Sequence, residues 1–392
     1  MQATDEPTEL RLTTLLDEHF GPRASKTLVV RAPGRVNIIG EHTDYNGGFV
    51  LPAAVDRSVL LAGRVVPEQT ISAYTKTLEL SASWTIGDAK PDDQWLKYVA
   101  GVATALRDRG ATLPGMEIAI TGDVPSGAGM SSSAALCVGS VLLISALADF
   151  PVDALTSVLI SQWVENEYLG VRVGIMDQYA SRNGKADHAL LLDCRSQTHE
   201  LVPLPAGLVL GLCDTRVRRA LAGSAYNDRR HSCEEAVTLL RPHVGGIRTL
   251  RDLDAAWLTD LKLFLPETLY RRAHHVVTEN VRVLECVAAF RNNDLAQAGT
   301  LMRASHASLR DDYEVSCKEL DVMVEAADNA PGCYGARMMG GGFGGCAIAL
   351  VDETKFDRFA EATSAGYRAV IGRDAVIYRC RATDGAEVIS HA

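Results

Sequence analysis

The pattern of apolar and polar positions changes about halfway along the chain. In the first half, short apolar runs separated by turn residues predict strands at 28–41, 49–66, 116–123 and 189–196. In the second half, apolar residues at helical spacing predict helices near 231–241, 266–290, 294–309, 316–328 and 354–370. The character shifts near residue 205, so we place a domain boundary there, between 1–205 and 206–392. Strands with layered helices in each half predict a two-lobed α+β protein with a cleft between the lobes.

One apolar stretch raises the question of a membrane span. Residues 131–148, SSSAALCVGSVLLISALA, carry no charge over about the length of a spanning helix. Five serines and a glycine dilute the stretch, so we predict a buried central helix instead. A second helix is predicted over 154–170, where helical spacing ends at Gly170.

Composition narrows the class of protein. Of the 392 residues, 47% are hydrophobic and 22% charged, as is usual for a soluble globular protein. The net charge of −10, with no basic stripe, argues against a general nucleic-acid binder. Nine cysteines without a C-x-x-C pair favour reduced thiols in a cytoplasmic protein. The acidic N-terminus lacks the apolar core of a signal peptide.

Ionisable side chains are concentrated at a glycine turn in residues 31–48, RAPGRVNIIGEHTDYNGG. Glu41, His42 and Asp44 follow a mostly apolar strand that carries Arg35. An ordinary surface loop would show small polar residues in loose order, and an ordinary strand would alternate. The segment therefore needs a functional explanation.

A glycine turn leads into the apolar helix at 125–135, PSGAGMSSSAA. A glycine turn before a helix N-terminus presents free backbone N–H groups and the positive end of the helix dipole, which suits phosphate. It is not a Walker A loop, since Ala128 stands where lysine is required, nor a dinucleotide fingerprint, since Ser132 replaces the third glycine. An ordinary helix cap with a flexible entry is an equal alternative on these residues alone.

A second glycine cluster, GGGFGG at 340–345, matches the pattern G-x-G-x-x-G. The following residues, CAIALV, read as a strand, whereas a dinucleotide-binding fold needs a helix there. We therefore reject a nicotinamide site. Taken alone, the cluster favours a tight hairpin over a backbone pressed against a ligand.

Three further residues are candidates with competing interpretations. Glu165 lies on the polar flank of its predicted helix, where a solvated position is the ordinary expectation. Asp177 has apolar neighbours and could be a helix N-cap or a general base. Tyr226, in SAYNDRR, opens a helix and could pack beneath it or bind a sugar.

In this order, these segments together resemble the galactokinase family. GRVNIIGEHTDYNGGFVLP is similar to its signature, PSGAGMSSSAA to its nucleotide loop, ENEYLGVRVGIMDQ to its catalytic segment, ARMMGGGFGGC to its third motif and SAYNDRR to a sugar-side segment. The resemblance runs from about residue 30 to 350. GEHTDYN is highly specific, whereas the glycine motifs alone indicate the wider superfamily of galactose, homoserine, mevalonate and phosphomevalonate (GHMP) kinases. Departures from the family pattern are Met130, Val173, Gly341 and Arg219, of which Arg219 is expected to alter the rim of the sugar site and so the specificity, not the reaction.

The resemblance implies a fold and a reaction. The fold is the two-lobed GHMP kinase fold, with a ribosomal-protein-S5-like α/β N-terminal lobe, a ferredoxin-like α+β C-terminal lobe and the active site in the cleft. The reaction transfers the γ-phosphate of ATP to the anomeric hydroxyl of D-galactose, the first committed step of galactose breakdown by the Leloir pathway. A kinase for a related sugar (N-acetylgalactosamine or arabinose) and a non-catalytic galactose sensor are the alternatives. The intact SSSAA loop, Arg35 and Asp177 argue against the sensor.

It also implies roles for residues. Asp177 would be the general base, and Arg35 would lower the pKa of the reacting hydroxyl and stabilise the transition state. The sugar would be bound by Glu41, His42, Asp44, Gly174, Asp177 and Tyr226. The ATP phosphates would be held by Pro125, Ser126, Gly127, Ala128, Gly129, Met130 and Ser131. Ser131 and Glu165 would bind Mg²⁺, whose preferred ligands are hard oxygens. We expect galactose and ATP as small-molecule partners, no nucleic-acid or membrane partner, and a cytoplasmic monomer, with a dimer as the alternative.

Overall fold

The computed structural model describes residues 8–125, 127, 129–217 and 222–391. Its α-helices are α1 (Thr8–Phe20), α2 (Leu96–Arg107), α3 (Ser132–Leu147), α4 (Ala154–Trp163), α5 (Met176–Asn183), α6 (Ala222–Leu240), α7 (Leu258–Leu261), α8 (Glu267–Arg291), α9 (Leu295–Asp311), α10 (Lys318–Asp328) and α11 (Phe356–Ile371). Its strands are β1 (Leu28–Asn37), β2 (Phe49–Val50), β3 (Pro52–Val66), β4 (Thr70–Thr75), β5 (Leu80–Thr85), β6 (Gly115–Gly122), β7 (His188–Asp193), β8 (Thr198–Pro203), β9 (Leu208–Asp214), β10 (Cys333–Met339), β11 (Cys346–Asp352), β12 (Val376–Cys380) and β13 (Glu387–His391).

The N-terminal half is built on a six-stranded sheet in the order β13-β1-β3-β6-β4-β5. Only β4 and β6 run parallel in it; its other pairs are antiparallel. Helix α3 packs on β1 and β3, and α1 covers the opposite face. Most of α3 is buried, which confirms the predicted central helix at 131–148. Within the described residues, no helix has the length and apolar character needed to cross a membrane.

The C-terminal half is built on an antiparallel sheet in the order β10-β11-β9-β12. One face of this sheet packs on α10 and α11, and the other joins the core of the first half. Its strands are therefore buried on both faces, which explains the continuous apolar run CAIALV. The predicted GGGFGG hairpin joins β10 to β11.

The chain passes from the first half to the second between Pro203 and Leu208, beside the boundary that we place at residue 205. That boundary stays a prediction. The segment 206–392 does not lie wholly in the second sheet, however. Strand β13 returns to pair antiparallel with β1, at Leu28↔His391 and Arg31↔Glu387.

Helix α8 links the two halves. It contacts β2 and β8, two strands of a small sheet in the order β2-β7-β8, as well as α6 and α9. The turn at 38–48 between β1 and β2 thereby lies against a helix of the C-terminal half. The glycine-rich hairpin after β10 lies on the other side of the same turn, where Gly340 N contacts Glu41.

The predicted elements are present with shifted ends, and two corrections matter for the site. The helix predicted over 154–170 is α only to Trp163, and continues as a π-helical turn over Val164–Tyr168. The helix predicted from residue 231 begins at Ala222, so Tyr226 lies inside α6. The sequence analysis does not predict helices α1, α2, α5 and α7.

Candidate active site

A cavity of about 390 Å³ opens between the two halves. It is lined by Arg35, Glu41, His42, Asp44, Gly127, Gly129, Val171, Val173, Gly174, Met176, Asp177, Val217, Tyr226 and the hairpin residues 339–345. All the sugar-side candidates of the sequence analysis and two residues of the candidate phosphate loop therefore share one space. The GGGFGG hairpin forms one wall of it, so the hairpin is both a tight turn and a lining surface.

Arg35 and Asp177 form a bidentate ion pair in this cavity. The Arg35 Nε lies 2.8 Å from Asp177 Oδ1, and its Nη2 lies 2.6 Å from Oδ2. Arg35 projects from β1, and Asp177 lies in the first turn of α5, one residue after the helix starts, so it is not the N-cap. Burial opposes the charge of Arg35, but Asp177, Glu41 and Asp44 outweigh it and raise the pKa of the guanidinium. The Arg35 guanidinium is thus held charged beside the Asp177 carboxylate.

The candidate phosphate loop is tied to this pair. Arg35 donates from Nη1 to the Gly129 carbonyl and from its backbone N–H to the Met130 carbonyl, the latter at 3.0 Å. The Ser131 hydroxyl donates to Asp177 Oδ2 at 2.5 Å. Gly127, Gly129 and Ser131 have φ of +70°, +74° and +55°, which a glycine-rich turn accommodates most easily. The loop therefore delivers its backbone to the cavity directly before α3 begins.

Not every residue that the sequence assigns to this loop can be placed. Ser126 and Ala128 lie outside the described residues, as does Arg219, which the resemblance connects with the sugar site. Pro125 is described, and Met130 is fully buried, so Met130 contributes its carbonyl and not its side chain to the contacts above.

The signature turn is fixed by a buried ion pair that the sequence did not reveal. Glu41 Oε1 accepts from Arg337 Nη2 at 2.9 Å and from the Gly340 N–H at 2.8 Å. Arg337 is wholly buried and donates also to the carbonyls of Asn37, Ile38 and Met338. Burial raises the pKa of Glu41, while Arg337 and the Gly340 N–H oppose that rise. Strand β10 thus sets the position of the first carboxylate of the turn.

Asp44 and Gly174 lie against each other in the lining of the cavity. A β-carbon on Gly174 would overlap the Asp44 carboxylate, so this position has room only for glycine. Burial, reinforced by Asp177, raises the pKa of Asp44 to about 7. The carboxylate therefore changes charge near neutral pH.

Aromatic rings close the far side of the turn. His42 lies with its ring centre 5.3 Å from that of Tyr226 and 4.8 Å from that of Tyr313, and its Nδ1 is 2.7 Å from the Tyr45 hydroxyl. Burial lowers the pKa of His42 to about 3, so the imidazole is neutral. A methyl group on Gly341 would come within 3.2 Å of the Tyr226 ring. The glycine at this position, a departure from the family pattern, therefore leaves room beside that ring.

Glu165 is not solvated, contrary to the ordinary expectation for its position. It is 5% exposed and lies in the π-helical turn that follows α4, a geometry often found at functional sites. Gln178 Nε2 donates to it at 2.5 Å, and Ser133 bonds it as well. Burial raises the pKa of Glu165 to about 7. Within the described residues, no group of three or more acidic, histidine or cysteine side chains could hold a metal ion alone.

A second cavity of about 290 Å³ flanks the start of α3, and the sequence analysis missed it. Its lining is largely apolar and aromatic, with Leu78, Trp95, Tyr98 and Leu136 beside Ser132 and Ser133. The Trp95 indole N–H is buried there without a hydrogen-bond partner among the described residues. These residues come from separate elements with no shared motif, so no sequence pattern could have joined them.

Comparison with known proteins agrees with this geometry. A family model of the galactokinase galactose-binding signature matches residues 15–65, and models of the GHMP kinase N-terminal and C-terminal domains match residues 97–185 and 286–369. A galactokinase of Roseiflexus sp. is 44% identical over 94% of this chain and 94% of its own length. The chain belongs to the galactokinase family. A galactokinase of Chloroflexus aggregans is 43% identical over 95% of this chain and 96% of its own.

Solved structures place the fold in the same family. The crystal structure of Lactococcus lactis galactokinase complexed with galactose superposes with a TM-score of 0.93 at 34% identity, over 98% of this chain and all of that one. A mevalonate kinase matches with a TM-score of 0.66 at 17% identity over 91% of this chain and 99% of that one, a likeness of fold alone. The two-lobed GHMP kinase fold predicted from the galactokinase motifs is confirmed.

Proposed function

We propose that this chain transfers the γ-phosphate of ATP to the anomeric hydroxyl of D-galactose, giving α-D-galactose 1-phosphate and ADP. Membership in the galactokinase family makes it an ATP-dependent sugar kinase. The observation that carries the proposal is the position of the Arg35–Asp177 pair. It lies in one cavity between the polar turn at 41–44 and the glycine loop that ends at Ser131.

The sugar end of the cavity is assigned to five residues. Glu41, His42 and Asp44 offer acceptors and one neutral imidazole to sugar hydroxyls, and such a buried polar set rejects an epimer that leaves it unpaired. Gly174 leaves room for the Asp44 carboxylate beside the sugar, and Tyr226 supplies an aromatic wall. An aromatic wall with a polar floor suits a hexose, whose faces are apolar and whose edges carry hydroxyls.

The chemical step is assigned to Asp177 and Arg35. Asp177 accepts the proton of the anomeric hydroxyl while that oxygen attacks the γ-phosphorus, and the bond from the γ-phosphorus to the bridging oxygen of ADP breaks. Arg35 lies against the same carboxylate and favours the negative charge that develops on the attacking oxygen and the phosphoryl group. Both side chains project from regular elements, which holds them in place before substrate binds.

Phosphate binding is assigned to the backbone of residues 125–131 and the N-terminus of α3. Ser131 and Glu165 fit a site for Mg²⁺: one offers a hydroxyl, and the other a buried carboxylate whose raised pKa a cation would relieve. Since Mg²⁺ commonly binds one or two protein ligands together with phosphate oxygens and water, a two-residue site is sufficient. When bound, the ion would neutralise charge on the phosphates.

The second cavity, lined by Trp95 and Tyr98, is assigned to the adenine base. It borders Ser132 and Ser133, so a nucleotide could place its phosphates at the loop and its base there. An apolar aromatic lining with an unpartnered N–H donor suits a purine.

Turnover of free sugars by the purified protein tests the proposal. With ATP and Mg²⁺, we expect ADP release with galactose and little with glucose, and a 1-phosphate product by phosphorus NMR. N-acetylgalactosamine and arabinose test the related-sugar alternatives. Turnover on either that exceeds turnover on galactose, or galactose binding without turnover, would contradict the proposal. Cytoplasmic location and a monomeric state stay predictions.

A further inference from the structure

Three side chains of α8 form hydrogen bonds with the backbone of the sugar-binding turn. Glu279 Oε1 accepts from the Gly40 N–H at 3.0 Å, and Asn280 Oδ1 accepts from the Phe49 N–H at 2.8 Å. His275 Nε2 lies 3.1 Å from the Glu41 carbonyl. The helix thereby bonds both ends of the turn that carries Glu41, His42 and Asp44.

Glu279 is the best anchored of the three. It is completely buried, its Oε2 accepts from Arg282 Nε at 2.7 Å, and its Oε1 accepts from the Ser305 hydroxyl at 2.6 Å. Burial by itself would raise its pKa, but Arg282 and other nearby positive groups lower the pKa of Glu279 to about 2. The acceptor of the Gly40 N–H is therefore a permanently charged, rigid group, which gives a stronger hydrogen bond than a neutral acceptor would.

The turn that Glu279 contacts has an unusual backbone. Gly40 has φ +103°, and a β-carbon there would lie 2.8 Å from the Phe49 carbonyl oxygen. The residue two positions later, His42, has φ +62°. Such a conformation persists only where surrounding contacts over-determine it.

We propose that Glu279 is a positioning residue for the sugar: it holds the turn at Gly40 so that Glu41, His42 and Asp44 meet the sugar hydroxyls. This rests on the proposed function. Glu279 bonds to the Gly40 N–H, whereas Arg35 and Asp177 project from β1 and α5 and bond to each other. The anchor therefore controls sugar affinity and leaves the chemical step alone. Because α8 belongs to the C-terminal half, the sugar site is completed by the half that does not carry its sequence signature.

The test is the variant Glu279→Gln, which keeps the shape and removes the charge. We expect the dissociation constant for galactose, measured calorimetrically without nucleotide, to rise about tenfold, as loss of a charge-assisted hydrogen bond implies. The KM for ATP, and kcat at saturating galactose, should stay within about twofold, because nothing at the nucleotide end changes. A structural role alone would lower the amount of folded enzyme and leave both constants unchanged.

Glu117→Gln is the matched control. Glu117 is a buried carboxylate on the sheet face under α1, paired with Arg64 and Arg23, and it has no contact with the turn. Its variant should lose stability without any change in galactose affinity. If Glu279→Gln does not fold, Asn280→Ala cuts the second bond of the same turn and should give the same pattern.

The outcomes separate two hypotheses. Wild-type protein that neither binds nor phosphorylates galactose would overturn the proposed function, whatever Glu279 does. Wild-type activity on galactose, with unchanged galactose affinity in the folded α8 variant, would overturn only the positioning role. Equal losses of galactose and ATP affinity would also overturn it.

Discussion

The two ends of the cavity are built by different means. At the sugar end, buried side chains fix the turn at 40–48: Arg337 and Glu279 act from the C-terminal half, and Glu41 is locked between Arg337 and Gly340. At the phosphate end, the glycine loop meets Arg35 through the backbone carbonyls of Gly129 and Met130, and the Ser131 hydroxyl is the side chain that bonds to Asp177. Sugar hydroxyls differ between epimers and need fixed partners, whereas phosphates are alike in every nucleotide. The rigid side chains therefore lie where discrimination is needed, and a glycine backbone lies where it is not.

The largest effect is expected where the two ends join. Asp177→Asn keeps the shape of the side chain but cannot accept the anomeric proton, so kcat should fall by about 10²–10⁴-fold while galactose and ATP still bind. Turnover in a coupled assay and calorimetric binding measure the two separately. The exposed Asp149→Asn makes the same chemical change elsewhere in the first half and should be neutral. Near-normal turnover of Asp177→Asn would instead favour attack by the undeprotonated hydroxyl.

The sugar end can be disrupted alone by Gly174→Ala. The added methyl would overlap the Asp44 carboxylate, so either Asp44 or the 174 backbone must move. We expect the galactose dissociation constant to rise by more than about tenfold, since misplaced partners of a buried polar site are costly. The KM for ATP should not change. Gly245→Ala, where a β-carbon meets nothing within 4 Å, is the matched control; unchanged galactose affinity in Gly174→Ala would remove Asp44 from the sugar site.

The phosphate end can be disrupted alone by Ser131→Ala. Loss of the hydroxyl removes a proposed Mg²⁺ ligand and the hydrogen bond to Asp177, so we expect kcat at limiting Mg²⁺ to fall about tenfold. Galactose affinity should stay nearly intact. Ser145→Ala, on the same helix but bonded only to the Leu142 carbonyl, controls for the loss of a serine hydroxyl. A collapse of galactose binding in Ser131→Ala would mean that the loop is wrongly assigned.

The smallest effect is a pH dependence of sugar affinity. Burial and Asp177 raise the pKa of Asp44 to about 7. As the pH falls from 8 to 6, the carboxylate therefore takes up a proton, and the protonated oxygen no longer accepts a hydrogen bond from the sugar. Galactose affinity should weaken several-fold over that range and recover on return to pH 8. Calorimetry on the wild type and on Asp44→Asn measures this change of galactose affinity with pH. The variant should bind galactose weakly, with an affinity that does not change between pH 6 and pH 8. An equally steep slope in Asp44→Asn would assign the titration to another group.

The same shift has a consequence for folding. Because the pKa of Asp44 is higher in the folded protein than in an unfolded chain, protonation favours the folded state. That contribution is complete below about pH 4 and is lost as pH rises through about 7. Substrate affinity and this part of stability therefore respond to pH in opposite directions.

Some of the site could be predicted from sequence because its residues are contiguous. Glu41, His42 and Asp44 form one short motif, and the glycine turn before α3 has a direct physical meaning. Their joint placement in one cavity followed from resemblance to a family, since Arg35, Asp177 and Tyr226 are distant along the chain. Their individual roles in binding and catalysis stay predictions.

Other parts could not be predicted, for physical reasons. Glu279 lies in a long amphipathic helix, where the sequence does not distinguish a buried acidic residue from a solvated one. The fold shows that Glu279 is buried against Gly40. Arg337 follows an alanine in a strand with no hint of its partner, Glu41. The solvated position expected for Glu165 was wrong: the side chain is buried, and the π-helical turn that carries it cannot be read from helical spacing in the sequence.

Strand β13 has a consequence for how the molecule is made. It pairs with residues 28–31 of β1, the strand that also carries Arg35. During synthesis from the N-terminus, that edge of β1 is exposed until the residues of β13 have left the ribosome, and an unpaired strand edge is a site for association between chains. The first sheet is thus completed only after the strands of the second sheet have been synthesised, although β1 is translated before them.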